Sequence, residues 1–469
     1  MKSCLLLSAL ILPLALAAAD LNPDEQWPQW RGPLALGVAP KATPPTEWSE
    51  TKNVKWKVAI PGSGTATPIV WGNRIFIQTA IVTGRKDESP AAATKAPPPA
   101  GDQVSRPPGE KRKGPPGGGP PGGKRGGPGG GETPTAPVQF VVLCLDRGTG
   151  KTLWQKVVRE QVPHEGHHPS HGWASGSPVT DGKTLFAYFG SRGLYAMDFE
   201  GNVKWEVDLG DQKTRNSFGE GTSPALAGDR IIINWEHEGE DDFVVALDKT
   251  TGKEIWRTPR SEKTGSATPY IIEHDGVVQA VINAGTTRAY NVKNGELIWE
   301  CGGQTENVIP SVVVGHGLVY AMSGFRGNIV NAIKVGAKGN VTGTDAVAWT
   351  FNKGTPYVPC PLLAGNELYF FSGNSARLSI LDARTGQRHV EAERLEGMTD
   401  VYASPVAAAG KVYLAGRDGA FTVIKQGPKL EILAKNKLDD GFDAVPVPVG
   451  KDLLLRGQKS LYCITEKGS

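Results

Sequence analysis

The stretch that decides the fold is SPVTDGKTLFAYFGSRGLYAMDFEGNVKWEVDL, residues 177–209. An apolar run at 184–189 ends in the turn Gly190-Ser191-Arg192-Gly193, and a second run at 194–197 ends on Asp198. A glycine turn, Gly201-Asn202, leads to a short segment carrying Trp205. The runs are β-branched and aromatic, and Gly, Asp and Asn punctuate them, which is how strands and hairpins read. With its linking loops the unit predicts a four-stranded antiparallel sheet of roughly 40–50 residues, the size of one propeller blade.

The unit recurs along the chain. Blade starts fall at Thr67-Pro68, Ser177-Pro178, Ser223-Pro224, Thr268-Pro269, Ile309-Pro310, Pro359 to Pro361, Ser404-Pro405 and Val445-Pro446. The third-strand and turn signature reads Ala246-Leu247-Asp248 to Gly252 to Trp256. It returns around Asn291, Gly295 and Trp299, and again around Asp382 and Gly386. The Asp caps the turn, the Gly supplies positive φ and the Trp packs between neighbouring blades. Val390 stands where blade six should carry Trp, and blade seven lacks one as well. The count is eight, in an all-β eight-bladed propeller of four-stranded antiparallel blades.

Asn53-Val54-Lys55-Trp56-Lys57-Val58 repeats Asn202-Val203-Lys204-Trp205-Glu206-Val207 with one change. The second copy ends a blade, so the first is an outer strand with no blade before it. Unpaired strand edges are a liability. The ring is therefore expected to close by pairing this N-terminal strand with the C-terminal strand at 461–464.

Residues 1–19 have a basic start (Lys2), an apolar run at 5–16 and small residues at Ala17-Ala18-Ala19, the pattern of a secretory signal cleaved before Asp20. That apolar run is too short to span a bilayer, and no second run of spanning length follows. Cys4 lies too early for a lipid anchor, so the expected location is periplasmic or otherwise exported, without lipidation. Residues 20–52, with Trp27, Trp30 and Trp48, read as an arm packed on the outside of a propeller at 53–469.

Blade one is interrupted by residues 85–137, roughly half Pro or Gly, which cannot bury a core and are expected to be disordered. Nine Lys and Arg against five Asp and Glu place more than the chain's whole formal charge of +3 on this basic insert. The remainder is near neutral, which gives no reason to expect nucleic acid as a partner. The high Gly (60) and Pro (36) counts are those of a turn-dense β protein.

Two sets of residues carry candidate chemistry. The loop His164-Glu165-Gly166-His167-His168-Pro169-Ser170-His171 holds four of the eight His. His167, His168 and His171 are candidate Zn²⁺ or Cu²⁺ ligands, although the spacing matches no closed zinc pattern and hydrogen-bonding loop residues are the plainer reading. The turns between second and third strands repeatedly carry a cation: Arg192, Arg288, Arg326, Arg377 and Arg417. They share a face with the lead-in loops to the inner strands, which carry Trp173, Glu220, Tyr357, Asp400 and Asp443. Together they outline a positively lined funnel for an anionic ligand, with aromatic stacking area. Simple soluble hairpin residues are the alternative. Of the cysteines after the signal, Cys144 and Cys463 fall at equivalent positions of neighbouring blades, and buried thiols are expected rather than a disulfide.

The pattern A-x-D-x-x-T-G-x-x-x-W, best matched at 149–154 and 251–256, resembles the pyrroloquinoline quinone (PQQ)-like repeat family. The resemblance covers residues 53–464 except the insert. The Trp-rich start and His-rich loop resemble exported propellers of planctomycete- and verrucomicrobia-like bacteria. The family implies three readings. One is a non-catalytic binding or scaffold protein of the cell envelope, a monomer with a protein, polysaccharide or small anionic partner. The second is a quinoprotein alcohol or sugar dehydrogenase, with PQQ and Ca²⁺ as cofactors. The third is an outer-membrane assembly factor like the Bam-complex propeller. The dehydrogenase branch resembles itself in a Ca²⁺ site and an adjacent cysteine pair. Here Glu220, Asn307 and Asp400 are scattered candidate ligands, and no two cysteines are adjacent. The chain is therefore expected to be a binding protein rather than an enzyme.

Overall fold

The computed structural model describes residues 21–84, 134–239, 241–262 and 265–466. The signal at 1–19 and nearly all of the basic insert lie outside the described residues. Eight separate antiparallel sheets follow one another along the chain, and no α-helix occurs among the described residues. Each blade except blade four, whose inner and outer strands are equally long, runs from a short inner strand to a longer outer one. Blade two, for example, is Val179–Thr180, Leu185–Tyr188, Leu194–Met197 and Val203–Val207. Burial follows position: the second and third strands are sealed on both faces by neighbouring blades, while outer strands alternate half-buried and exposed.

The ring closes as its ends require. Val54–Ala59 pairs antiparallel with Ser460–Ile464, with Trp56 opposite Cys463, and completes blade eight. Two blades carry a fifth strand. Val38–Ala39 adds in parallel to the inner strand of blade seven, and Gly339–Asn340 adds to the outer strand of blade four.

The turn signature works by a direct contact between blades. Asp248 Oδ1 accepts from the backbone N–H and hydroxyl of Thr251, and Asp146 and Asp382 do the same for Thr149 and Thr385. The glycine that follows has φ of +72° at Gly252 and +71° at Gly386. It lies flat on the indole of the preceding blade: a Cβ on Gly252 would stand 2.7 Å from Trp205, and one on Gly386 2.7 Å from Trp349. The indole N–H often donates into the same turn, as Trp154 does to Phe199 O at 2.8 Å and Trp349 to Ala383 O at 3.1 Å. Trp349 is the blade-five member of the series, hidden from the repeat pattern by the excursion at 335–346.

A second device links inner strands. The backbone N–H of each blade-start residue except Ser404, whose counterpart Val445 has no polar side chain, donates to the side chain of its counterpart in the next blade. Thr67 bonds Ser177, Ser177 bonds Ser223, Ser223 bonds Thr268 and Thr268 bonds Ser311, at 2.8 to 3.0 Å. Ser311 then reaches Cys360 Sγ, Cys360 reaches Ser404, and Val445 returns to Thr67 Oγ1. The belt places the blade-five start at Ser311 rather than Ile309.

The first part of the arm does not lie on the outside of the fold, whereas its end reaches the outer strand of blade seven, where Asn436 Oδ1 accepts from the Trp48 N–H. Trp27 bridges Val70 in blade one, Pro28 O accepts from Thr180 in blade two, and Leu34 O accepts from Tyr270 in blade four. Arg31, 1% exposed, donates to Pro361 O in blade six. Gly37 O and Gly450 O tie the arm to blades seven and eight. These contacts fall on inner strands, on the turns that end them or, at Pro361, just before one, so the arm crosses the axial channel beneath the cup-lining lead-in segments. The physical reason is apolar burial: Trp27, fully buried, belongs to the core cluster that includes Val70 and Ile77 of blade one. Cys144, Cys301, Cys360 and Cys463 are buried thiols.

Candidate functional site

The lead-in loops and the second turns of all blades share one face, and there the channel opens into a cup of about 410 Å³. This falls in the ~300–1,000 Å³ range of small-molecule sites. The segments leading into all eight inner strands contribute to its wall, and Trp30 of the arm lines it as well. The cup is thus open to the loop face and obstructed below.

Aromatic planes and small hydroxyls make up much of the wall. Phe325 stacks on Tyr357 with ring centres 4.8 Å apart. The Tyr357 hydroxyl takes a hydrogen bond from Asn307 Nδ2 at 2.6 Å. Tyr402 lies under the Arg417 guanidinium at 4.1 Å. Thr67, Ser177, Ser223 and Thr268 of the belt also face the cup.

Of the ten expected funnel residues, Tyr357 and Asp443 line the cup, and Arg417 borders it through Tyr402. Arg417 Nε donates to Asp443 Oδ1 at 2.6 Å, and this carboxylate is what raises its pKa against the opposing effect of burial. Arg326 lies over Phe325, 66% exposed, with Glu306 3.6 Å away. Arg377, exposed, donates to Ala392 O. Arg288 is held between Glu262 and Glu300. Asp400 accepts the Arg417 backbone N–H through its own carbonyl. The turn cations therefore already hold protein partners, a pairing between distant segments that local periodicity does not encode.

Arg192, Trp173 and Glu220 sit elsewhere, around a smaller cavity of about 30 Å³ behind the His loop. Arg192 is buried and bonds Asp211 and, at 2.9 Å, His164 Nδ1. Burial pushes the Glu220 carboxyl up to about 7, against the pull of the Ser191 hydroxyl and backbone N–H that donate to it. The Tyr188 hydroxyl, also buried against this cavity, has no partner among the described residues. The volume suits a single water.

The His loop separates its imidazoles. His167 Nδ1 contacts His168 O, His168 Nδ1 contacts Ser170 Oγ, and His171 Nδ1 contacts Ser175 Oγ at 2.6 Å. Burial lowers His171 to about 4, so it is neutral at ordinary pH. Among the described residues no three His, Cys, Asp or Glu side chains converge as a metal site. The donor set also fits a Ca²⁺-bound quinone poorly: of Glu220, Asn307 and Asp400, only Asn307 faces the cup.

Sequence reasoning missed Trp30, Phe218, Phe325 and Arg215 as wall residues. Phe325 had a signal, since it precedes Arg326 in a turn already singled out.

Comparison with known proteins agrees with the architecture. A family model described as outer membrane protein assembly factor BamB matches residues 139–389. An outer membrane protein assembly factor BamB of Yersinia pestis is 26% identical over 171 residues, 34% of this chain and 38% of that protein, so well under two thirds of its length is spanned. Among solved structures, a quinohemoprotein alcohol dehydrogenase from Comamonas testosteroni superposes with a TM-score of 0.59 at 9% identity, over 96% of this chain and 82% of that one. BamB from Moraxella catarrhalis gives 0.50 at 13%, over 70% and 93%. At such identities these structures speak for the fold alone. The family match, spanning more than half of the chain on a ring whose turn glycines rest on their neighbours' indoles, places this protein among the PQQ-like repeat propellers, in the family of the outer membrane protein assembly factor BamB.

Proposed function

We propose that this chain is an exported, non-lipidated, non-catalytic binding propeller of the cell envelope, and that the cup on its loop face is where a ligand or a partner's side chain enters. The observation that carries this reading is the donor set of the cup. Its wall carboxylate, Asp443, is committed to Arg417, and its buried cysteine, Cys360, serves the hydrogen-bond belt. Burial raises the Cys360 thiol, so it is no ready nucleophile at neutral pH. The wall's imidazoles, His168 and His171, contact the Ser170 and Ser175 hydroxyls, and burial lowers both, which leaves them weak bases. Tyr357, Asp443, Arg417 and Arg326 are the members of the expected funnel set that supply or flank this surface. A partner protein in the envelope, as the family description suggests, is compatible with a ring whose loop face is open.

Two measurements test the proposal. N-terminal sequencing of the periplasmic fraction should begin at Asp20; full-length protein in the cytosol overturns the envelope assignment. Purified protein given PQQ and Ca²⁺ should not reduce dye with alcohols or sugars; turnover restores the dehydrogenase reading.

A further inference from the structure

Three features of the cup bear on what it takes up, and this step rests on the reading of the cup as a binding site. The first is charge. Arg215 is the cation in the wall, and its guanidinium stands 3.2 Å from Glu306. Asp443 is the wall anion, and it is paired with Arg417. An anionic ligand would have to displace Glu306 from Arg215 or Asp443 from Arg417, and breaking a close pair leaves a charge uncompensated.

The second feature is the direction of the hydrogen bonds. Thr67, Ser177, Ser223 and Thr268 each accept a neighbouring blade's N–H. A hydroxyl has one proton to give as well as lone pairs. Among the described residues no acceptor takes the protons of these four. They form an arc of O–H donors on the cup wall. Acceptors stand higher in the wall: Asn307 uses its amide N–H on Tyr357, so its carbonyl oxygen is available.

The third feature is aromatic area. Trp30 and the Phe325–Tyr357 stack present apolar planes beside these polar groups. Such planes suit a ligand with an apolar face and a polar rim.

We infer that the cup binds a neutral polyhydroxylated ligand, a sugar of one or two rings, with a ring's C–H face on the Phe325–Tyr357 stack and its hydroxyls on the donor arc and Asn307. The ring must enter from the loop face, because the arm obstructs the other end.

The test is a titration of the full chain with maltose, cellobiose and diacetylchitobiose, read by calorimetry and by tryptophan fluorescence. Galacturonate oligomers and PQQ with Ca²⁺ form parallel arms. At least one neutral sugar should bind saturably. Phe325→Leu should weaken it at least tenfold, and Phe325→Trp, which keeps a plane, should restore it. Trp30→Phe should reduce the fluorescence change while binding persists. Failure of all three neutral sugars at millimolar concentration, or equal binding by Phe325→Leu with an unchanged melting temperature, overturns the inference. Binding of galacturonate alone overturns its neutrality and leaves the binding-propeller reading standing. PQQ binding with dye reduction overturns both.

Discussion

Gly252 is the position at which the propeller's packing logic can be measured. It needs a left-handed backbone, with φ of +72°, and its missing Cβ is the space into which Trp205 of the preceding blade fits. In Gly252→Ala the new methyl would lie 2.7 Å from Trp205 and 3.0 Å from Val207. The left-handed conformation costs an L-residue about 1–2 kcal/mol. Displacing the indole is overpacking, worth about 1–3 kcal/mol. The sum is about 2–5 kcal/mol. Unfolding entropy of ~2.1 cal/mol/K per residue gives about 0.8 kcal/mol/K for ~400 ordered residues, so a loss of ~3 kcal/mol lowers the melting temperature by about 4 °C. Gly276 supplies the control. Its φ is +73°, and a Cβ there meets nothing within 4 Å. Gly276→Ala should cost the backbone part alone, about 1–2 kcal/mol. Scanning calorimetry on both variants isolates the contact with Trp205, and adding Trp205→Leu should bring the Gly252→Ala penalty down to the control's. Equal losses at the two glycines, with no effect of Trp205→Leu, would refute the claim that the turn glycine exists to seat its neighbour's indole.

Three further outcomes are expected. Deleting residues 1–58 removes the outer strand of blade eight together with the arm, and should produce aggregation or a melting temperature many degrees lower; wild-type stability by calorimetry would disprove closure by the terminal pair. Arg192→Gln abandons a buried contact with Asp211 and His164 and should cost about 1–3 kcal/mol in urea unfolding, whereas Arg326→Gln, on a largely exposed side chain, should stay within about 0.5 kcal/mol. Glu220 has a folded pKa raised to about 7 from an ordinary 4.5, so the fold holds its proton more tightly than the unfolded chain does. The stability this contributes is complete below about 4.5 and lost as pH rises through about 7. The fall in urea midpoint between pH 5 and pH 8 should accordingly be smaller in Glu220→Gln than in wild type; an unchanged fall would remove Glu220 as its source.

The ring was legible because its signals are local. Asp146, Asp248 and Asp382 each announce a turn within five residues, and the copy of residues 202–207 at 53–58 discloses the closing strand. What escaped depends on contacts between distant residues. Trp349 performs the same task as Trp256, but its spacing is broken by the excursion that pairs Gly339–Asn340 with blade four. Arg31 finds its partner in Pro361, 330 residues away, so nothing near it in the chain shows that it enters the channel. The arginines between second and third strands are legible as a series, yet the charges of Arg192, Arg288, Arg326 and Arg417 face Asp211, Glu262, Glu306 and Asp443, which belong to no repeat signature.

The route of the arm has a consequence for the order of events during synthesis. Its residues leave the ribosome before any blade does, yet their partners include Pro361, Ala407 and Gly450, and the strand that follows waits for Ser460–Ile464. A segment made before the blades is among the last to settle. Blades one to six can form from neighbours in sequence, but until the final strand emerges the ring stays an open arc with bare strand edges, and an arc in that state is exposed to association with other chains.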